Sequence, residues 1–126
     1  MKVPILKQRD YLIVSIQSVL DDEDLVALRD ELVEQVGRYR SIGVIVDVTG
    51  LDVMDSFSVR TLRDLAHMIR LRGAETVIVG IQPEVAFSMV QLGLTLDNVA
   101  TALDLEEGLV YLDARPKRRS RRDRPA

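Results

Sequence analysis

Residues 43–81 read GVIVDVTGLDVMDSFSVRTLRDLAHMIRLRGAETVIVGI, and the pattern inside this stretch decides the fold. GVIVDV (43–48) and TVIVGI (76–81) are continuous apolar runs of strand length, the signature of strands buried on both faces and hence of a parallel sheet. Between them, residues 55–71 carry Leu62, Leu65, Ala66 and Ile69 on one helical face. Arg60, Arg63, Asp64, His67 and Arg70 lie on the other. Gly73 follows as a C-terminal stop. Strand, helix and strand within about 40 residues form a βαβ unit, whose crossover is right-handed by strong steric preference.

The flanks extend this unit. VPIL (3–6) and YLIVSI (11–16), separated by KQRD, read as a hairpin whose second strand is apolar on both faces and therefore central. Residues 21–39 place Leu25, Leu28, Leu32, Val36 and Tyr39 at helical spacing, with acidic residues in the first turn to suit the helix dipole. Pro83 opens a short helix closed by Gly93, and NVATAL (98–103) is a short last strand. Asp104 and Glu107 have the spacing of a capping box before Leu105, Leu109 and Leu112, which predicts a final helix. The expected architecture is a single α/β domain over residues 1–114, a mixed, mostly parallel sheet with helices packed on one face.

Composition narrows the chemistry. At 126 residues, 47% hydrophobic and 29% charged, the chain has the size and make-up of one globular domain. It has no cysteine, which excludes disulfides, a thiolate nucleophile and cysteine metal sites, and fits a reducing, cytoplasmic setting. No apolar run approaches the ~20 residues of a membrane span, and MKVPILKQRD is too short and too soon charged for a secretory signal. The net charge of −3 hides an asymmetry: residues 115–126, RPKRRSRRDRPA, hold seven of the 17 Lys and Arg and a single Asp. This basic tail has nothing apolar to dock it and is expected to be disordered, either a solvated terminus or an electrostatic contact for nucleic acid or an acidic neighbour.

The residues that could carry chemistry cluster at MDSFS (54–58). At about 100° per residue Ser56 falls on the polar stripe with Arg60 and Arg63, whereas Ser58 leans toward Leu62 and Leu65. A helix start after a parallel strand presents free N–H groups to an anion, so a phosphoryl group on Ser56 has a place to sit, opposed by the charges of Asp52 and Asp55. The plainer reading makes Asp55 the N-cap and Ser56 a small first-turn residue. Residue chemistry favours the plainer reading and leaves both open. Asp47, Asp52 and Asp55 also admit a phospho-accepting aspartate of the two-component receiver kind. Against it, the segments after the first two strands read KQRD and QSVLDDED, and no lysine lies between residues 8 and 116. His67 is the sole histidine and sits on the polar stripe, so neither a zinc site nor a nucleophilic triad is expected. There is no glycine-rich phosphate loop. No cofactor and no catalysis are expected.

VIVDVTGLDVMDSFSVRTL (44–62) resembles the signature of STAS domains, the anti-sigma-factor antagonist family. GIQPEVAFSMVQLGLTLDNVATALDLEEGL (80–109) is similar to the C-terminal half of its RsbS-type branch, the small scaffold subunits of bacterial stressosomes. The likeness runs over residues 3–113 and is most specific at Asp55-Ser56-Phe57 and Gly80-Ile81-Gln82-Pro83. It implies a sheet flanked by helices on one side and a non-enzymatic role. It also implies a phosphorylated serine directly after the aspartate at the second helix start, here Ser56, with Asp55, Ser56, Phe57, Arg60 and Arg63 as the partner-docking surface.

The partners implied by this resemblance are RsbR-type STAS paralogues in a large co-assembly, a serine/threonine kinase of ATPase-like fold and an opposing phosphatase. A homo-oligomer is expected, without membrane contact and without nucleic acid except at the tail. The unphosphorylated form would hold the kinase and phosphorylation would release it toward a sigma-factor or other stress output. Simple antagonists of the family read Asp-Ser-Ser-Gly-Leu here, whereas Phe57, Ser58 and Val59 follow Ser56, which favours the scaffold branch over direct binding of an anti-sigma factor. The basic tail is not a family feature. A small-ligand domain using the same helix start as an anion site is a third alternative.

Overall fold

The structure is a computed structural model that describes residues 3–115. Five strands run β1 (Ile5–Gln8), β2 (Tyr11–Ser15), β3 (Gly43–Asp47), β4 (Glu75–Val79) and β5 (Ala100–Ala102), and they pair in that order. β1 is antiparallel to β2, and every later pairing is parallel. Four helices complete the chain: α1 (Asp22–Tyr39), α2 (Ser56–Leu71), α3 (Pro83–Gln91) and α4 (Leu105–Ala114). The expected fold class, the hairpin and the central βαβ unit are all present.

Alternation along the buried strands sends side chains to two cores. Leu12, Val14, Val44, Val46 and Ile78 meet Leu28, Leu32 and Val36 of α1, Leu62, Leu65 and Ile69 of α2, and Val85 and Met89 of α3. Tyr11, Ile13, Ile45, Val77 and Val79 face the other way and pack with Leu112 of α4. Helices on one face only, as expected from sequence, is therefore corrected: α1, α2 and α3 cover one face and α4 covers the other. The reason lies in β3 and β4, which are apolar on both faces, so a sheet covered once would leave Ile45, Val77 and Val79 in water. Gly108 lets α4 lie close, since a Cβ there would stand 2.8 Å from Val79 Cγ1. Tyr11 Oη then donates to Asp113 Oδ1 at 2.5 Å, joining β2 to the last turn of α4.

The predicted cap at Asp104 forms, and Asp21 proves to be a cap as well. The Asp21 and Asp104 carboxylates accept the N–H groups of Asp24 and Glu107, and Glu107 reaches back to the Leu103 N–H. Pro83 occupies the first turn of α3. Gly73 takes a positive φ of 92° beyond α2, and its N–H bonds to the Arg70 carbonyl. Tyr39 departs from its expected core position: it is 44% exposed, because it is the last residue of α1, beyond the covered part of the sheet. Most of the basic tail, residues 116–126, lies outside the described residues. Arg115 is described, and its guanidinium contacts Glu75 at 3.0 Å and the Tyr111 hydroxyl at 2.9 Å.

Candidate functional site

In a parallel sheet the loops at the carboxyl ends of the strands gather along one edge, where the following helices begin. Here that edge holds the β2–α1, β3–α2 and β4–α3 connections, and close backbone approaches lock them together. Asp47, at the end of β3, accepts from the Thr49 N–H at 2.9 Å and from the Thr49 hydroxyl at 2.6 Å. Gln82 donates to the Thr49 carbonyl at 2.7 Å. Gly80 has φ +78°, and a Cβ on it would lie 1.9 Å from Thr49 Oγ1, so only glycine fits there. Gly50 sits against the backbone of Gln17, with 2.7 Å between its ideal Cβ and the Gln17 carbonyl oxygen. Leu51 and Met54 are buried from this loop, while Asp52 and Val53 stay outside. The loop is thus pinned at both ends before it delivers Asp55.

Asp55 is the N-cap of α2, with extended backbone and its carboxylate accepting the Ser58 N–H at 2.8 Å. Those bonds from Ser58 hold the Asp55 carboxyl below its ordinary range, helped by the positive charge of Arg60. Ser56 is the first helical residue, and among the described residues its hydroxyl has no hydrogen-bond partner. It is half-buried, as Ser58 is, so the expected contrast in exposure between the two serines is corrected. The expected difference in direction holds: Ser58 lines a shallow apolar cleft with Val19, Val53, Met54 and Leu62.

Phe57 is half-buried, and its carbonyl accepts from the Thr61 hydroxyl at 2.8 Å. Arg60 is exposed. Arg63 instead donates to the Thr95 carbonyl at 3.1 Å, and Arg70 donates to the Asn98 carbonyl. These two cations hold the α3–β5 loop against α2, a use that helical periodicity could not reveal because both partners are distant backbone oxygens. His67 is exposed as expected. Asp47 and Asp55 are each turned onto their own neighbouring residues and Asp52 is exposed, so the three carboxylates do not form a shared acidic pocket. Among the described residues no group of His, Asp and Glu is arranged to hold a metal ion. Among the described residues no helix is long and apolar enough to cross a membrane. Thr49 and Gln82 went unrecognised as site-shaping residues, although Gln82 sits within the quoted GIQP stretch.

Comparison with known proteins agrees with this architecture. The STAS domain family model matches residues 2–108. The RsbT co-antagonist protein RsbRA of Bacillus subtilis is 30% identical over 97 residues, covering 77% of this chain and 35% of that protein. The chain spans about a third of the length of the RsbR-type relatives it matches, 32–40% of each. A solved structure of a serine-to-glutamate variant of RsbS from Moorella thermoacetica is 35% identical, with TM-score 0.79 over 90% of this chain and 96% of that one. A chain in a structure describing the molecular architecture of the stressosome is 34% identical, with TM-score 0.72 over 87% of this chain and 96% of its own length. Sheet order, loop geometry and these likenesses converge: the chain belongs to the STAS-domain family and is related to the RsbR and RsbS proteins of the stressosome.

Proposed function

We propose that this chain is a non-enzymatic, phospho-switched scaffold that co-assembles with RsbR-type STAS proteins and, when unphosphorylated, holds a serine/threonine kinase. The observation that carries the proposal is the position of Ser56: first residue of α2, directly after its capping aspartate, with an unbonded hydroxyl on a pinned loop. The 35% identity to an RsbS over 96% of that chain supports the scaffold branch. Asp55, Ser56, Phe57 and Arg60 form the docking surface, and Arg63 supports it through Thr95.

Phosphorylation of Ser56 brings about −1.5 to −2 charges and three acceptor oxygens. The N–H groups of the first turn can take up part of that charge, but Asp52 and Asp55 stand beside it. A kinase surface seated flat on the helix start would have to desolvate a dianion next to two carboxylates, which weakens the complex. A metal-dependent phosphatase would restore binding, and the freed kinase would act on the next component of a stress pathway.

The test is co-purification with a kinase and RsbR-type partner encoded nearby, followed by ATP treatment and mass spectrometry of the 52–60 peptide. Kinase affinity is then compared among wild type, Ser56→Ala, Ser56→Asp and the phosphorylated form. Tight binding by the first two and weakening by the last two is the expected result. Equal affinity across all four, or phosphate confined to another residue, would sink the proposal.

A further inference from the structure

The edge opposite Ser56 has a charge character that the proposed switch does not use. There the β1–β2 turn and the α1–β3 and α2–β4 connections meet: the Ile42 N–H bonds to the Asp10 carbonyl at 2.8 Å, and the Glu75 N–H to the Ile42 carbonyl at 3.1 Å. Lys7 and Arg9 reach this edge from the hairpin, and Arg38 and Arg40 from the end of α1. Arg70 and Arg72 come from the end of α2, and Arg115 from the end of α4. The Arg72 guanidinium lies over Gly37 of α1, and Arg115 and Arg70 flank Glu75 at 3.0 and 3.7 Å. Lys7, Arg9, Arg40 and Arg72 are exposed. These seven and the six Lys and Arg that follow Arg115 in the sequence make up 13 of the chain's 17 cations.

The segregation is partly a helix-dipole arrangement, with acids at helix starts and bases at helix ends. The dipole does not account for Arg9, in a hairpin turn, nor for the run of cations after Arg115. The edge also carries Tyr39, 44% exposed, with the Lys7 ammonium and the Arg38 guanidinium each 5.9 Å from its ring centroid. An accessible ring set among cations matches the alternation of base and phosphate along a single strand. Arg38 pairs with Glu34, and Arg70 and Arg115 with Glu75, which leaves Lys7, Arg9, Arg40 and Arg72 without an ion pair among the described residues; arginine suits phosphate oxygens through its forked donors.

We propose that this basic edge binds single-stranded nucleic acid, with Arg9, Arg40 and Arg72 on phosphates and Tyr39 stacked on a base. The acidic edge of a second copy offers no ring or base to stack on Tyr39, and its three capping carboxylates, Asp21, Asp55 and Asp104, are engaged by helix N–H groups. An anionic bilayer is less suited too, since the exposed apolar side chains at this edge, Tyr39, Ile42 and Leu71, are single residues set between Arg38, Arg40, Arg70 and Arg72 in the sequence rather than one apolar face. The proposal is independent of the Ser56 switch.

The probe is a fluorescently labelled single-stranded oligonucleotide of about 20 nucleotides, longer than the ~4–16 that one small domain covers. Its binding to the full chain is followed by anisotropy as salt is raised. The triple variant Arg9→Asn, Arg40→Asn, Arg72→Gln keeps the tail and places Asn at the two left-handed positions, φ 55° and 51°. It is expected to bind about tenfold more weakly or worse, and to lower the salt slope by about 2. Tyr39→Ala is expected to cost at least about fivefold. Arg72→Gln alone lies outside both left-handed positions and should lower the slope by about 0.7, which keeps the test decisive if the triple variant folds poorly. Undiminished binding by the folded variants would overturn the proposal by leaving the tail as a general polycation. Absence of oligonucleotide binding would overturn it as well, whether or not the protein then binds phosphatidylserine vesicles or self-associates in low salt.

Discussion

Gly80 and Thr49 approach so closely that the hydroxyl of Thr49 occupies the space a side chain on residue 80 would need, 1.9 Å from its ideal Cβ. This contact sits where the end of β4 passes the loop leading to α2, and so sets the height at which Asp55 and Ser56 emerge. Gly80→Ala combines a left-handed backbone cost of about 1–2 kcal/mol with an overpacking cost of about 1–3 kcal/mol. Destabilisation of about 2–5 kcal/mol in urea unfolding is expected. Adding Thr49→Ala should recover the steric part only. A Gly80→Ala protein as stable as wild type would show that the two loops are not locked.

Asp55→Ala should destabilise the protein by about 1 kcal/mol, the usual cost of an N-cap, while Asp55→Asn should cost much less. The acid dependence has a definite sign. Bonds from Ser58 lower the Asp55 pKa from its ordinary 3.8, so its contribution is complete above that value. It disappears as pH falls through the lower folded pKa. Stability curves of wild type and Asp55→Asn should therefore converge in acid and separate near neutrality, which unfolding at a series of pH values measures.

Tyr11 behaves oppositely. Burial first, and then its hydrogen bond and charge contact with Asp113, push its hydroxyl from 10.0 up to about 12. The stabilisation is complete below pH 10.0 and is lost as pH rises through about 12. Tyr11→Phe should lower stability at neutral pH by about 1–2 kcal/mol and should remove an absorbance step near pH 12. Loss of a step near pH 10.0 instead would mean that α4 is not latched to β2.

Arg63→Ala and Arg70→Ala should free the Thr95 and Asn98 carbonyls. Each should cost about 0.5–1.5 kcal/mol. The distinguishing effect is local: residues 93–99 should gain amide exchange and protease sensitivity while the β2–β3–β4 core keeps its protection. Uniform loss of protection would instead make these arginines part of the global fold.

Much of the architecture was legible because its signals are short-range. The apolar runs of β3 and β4, the amphipathic period of α2, Pro83 and the acidic caps at residues 55 and 104 each act within a few residues. The choice of Asp55 as the cap needed no tertiary knowledge. The expected contrast in exposure between Ser56 and Ser58 and the one-sided packing of the helices did not survive, because both depend on packing between distant segments. A helical wheel ranks directions around an axis but cannot say that the preceding loop is folded back onto the first turn.

The sequence by itself determined the order of elements, the βαβ unit, the cap before Ser56 and the concentration of positive charge after residue 114, since these are set by neighbouring residues and by composition. Tertiary structure decided that α4 closes the second face through Gly108, Leu112 and Tyr11–Asp113. It decided that Gly80 and Gln82 hold Thr49, that Arg63 and Arg70 secure a loop, and that cations from four separate segments meet at one edge. Those outcomes rest on contacts between residues far apart in the chain, whose partners are chosen by strand order and packing and are written in no local pattern.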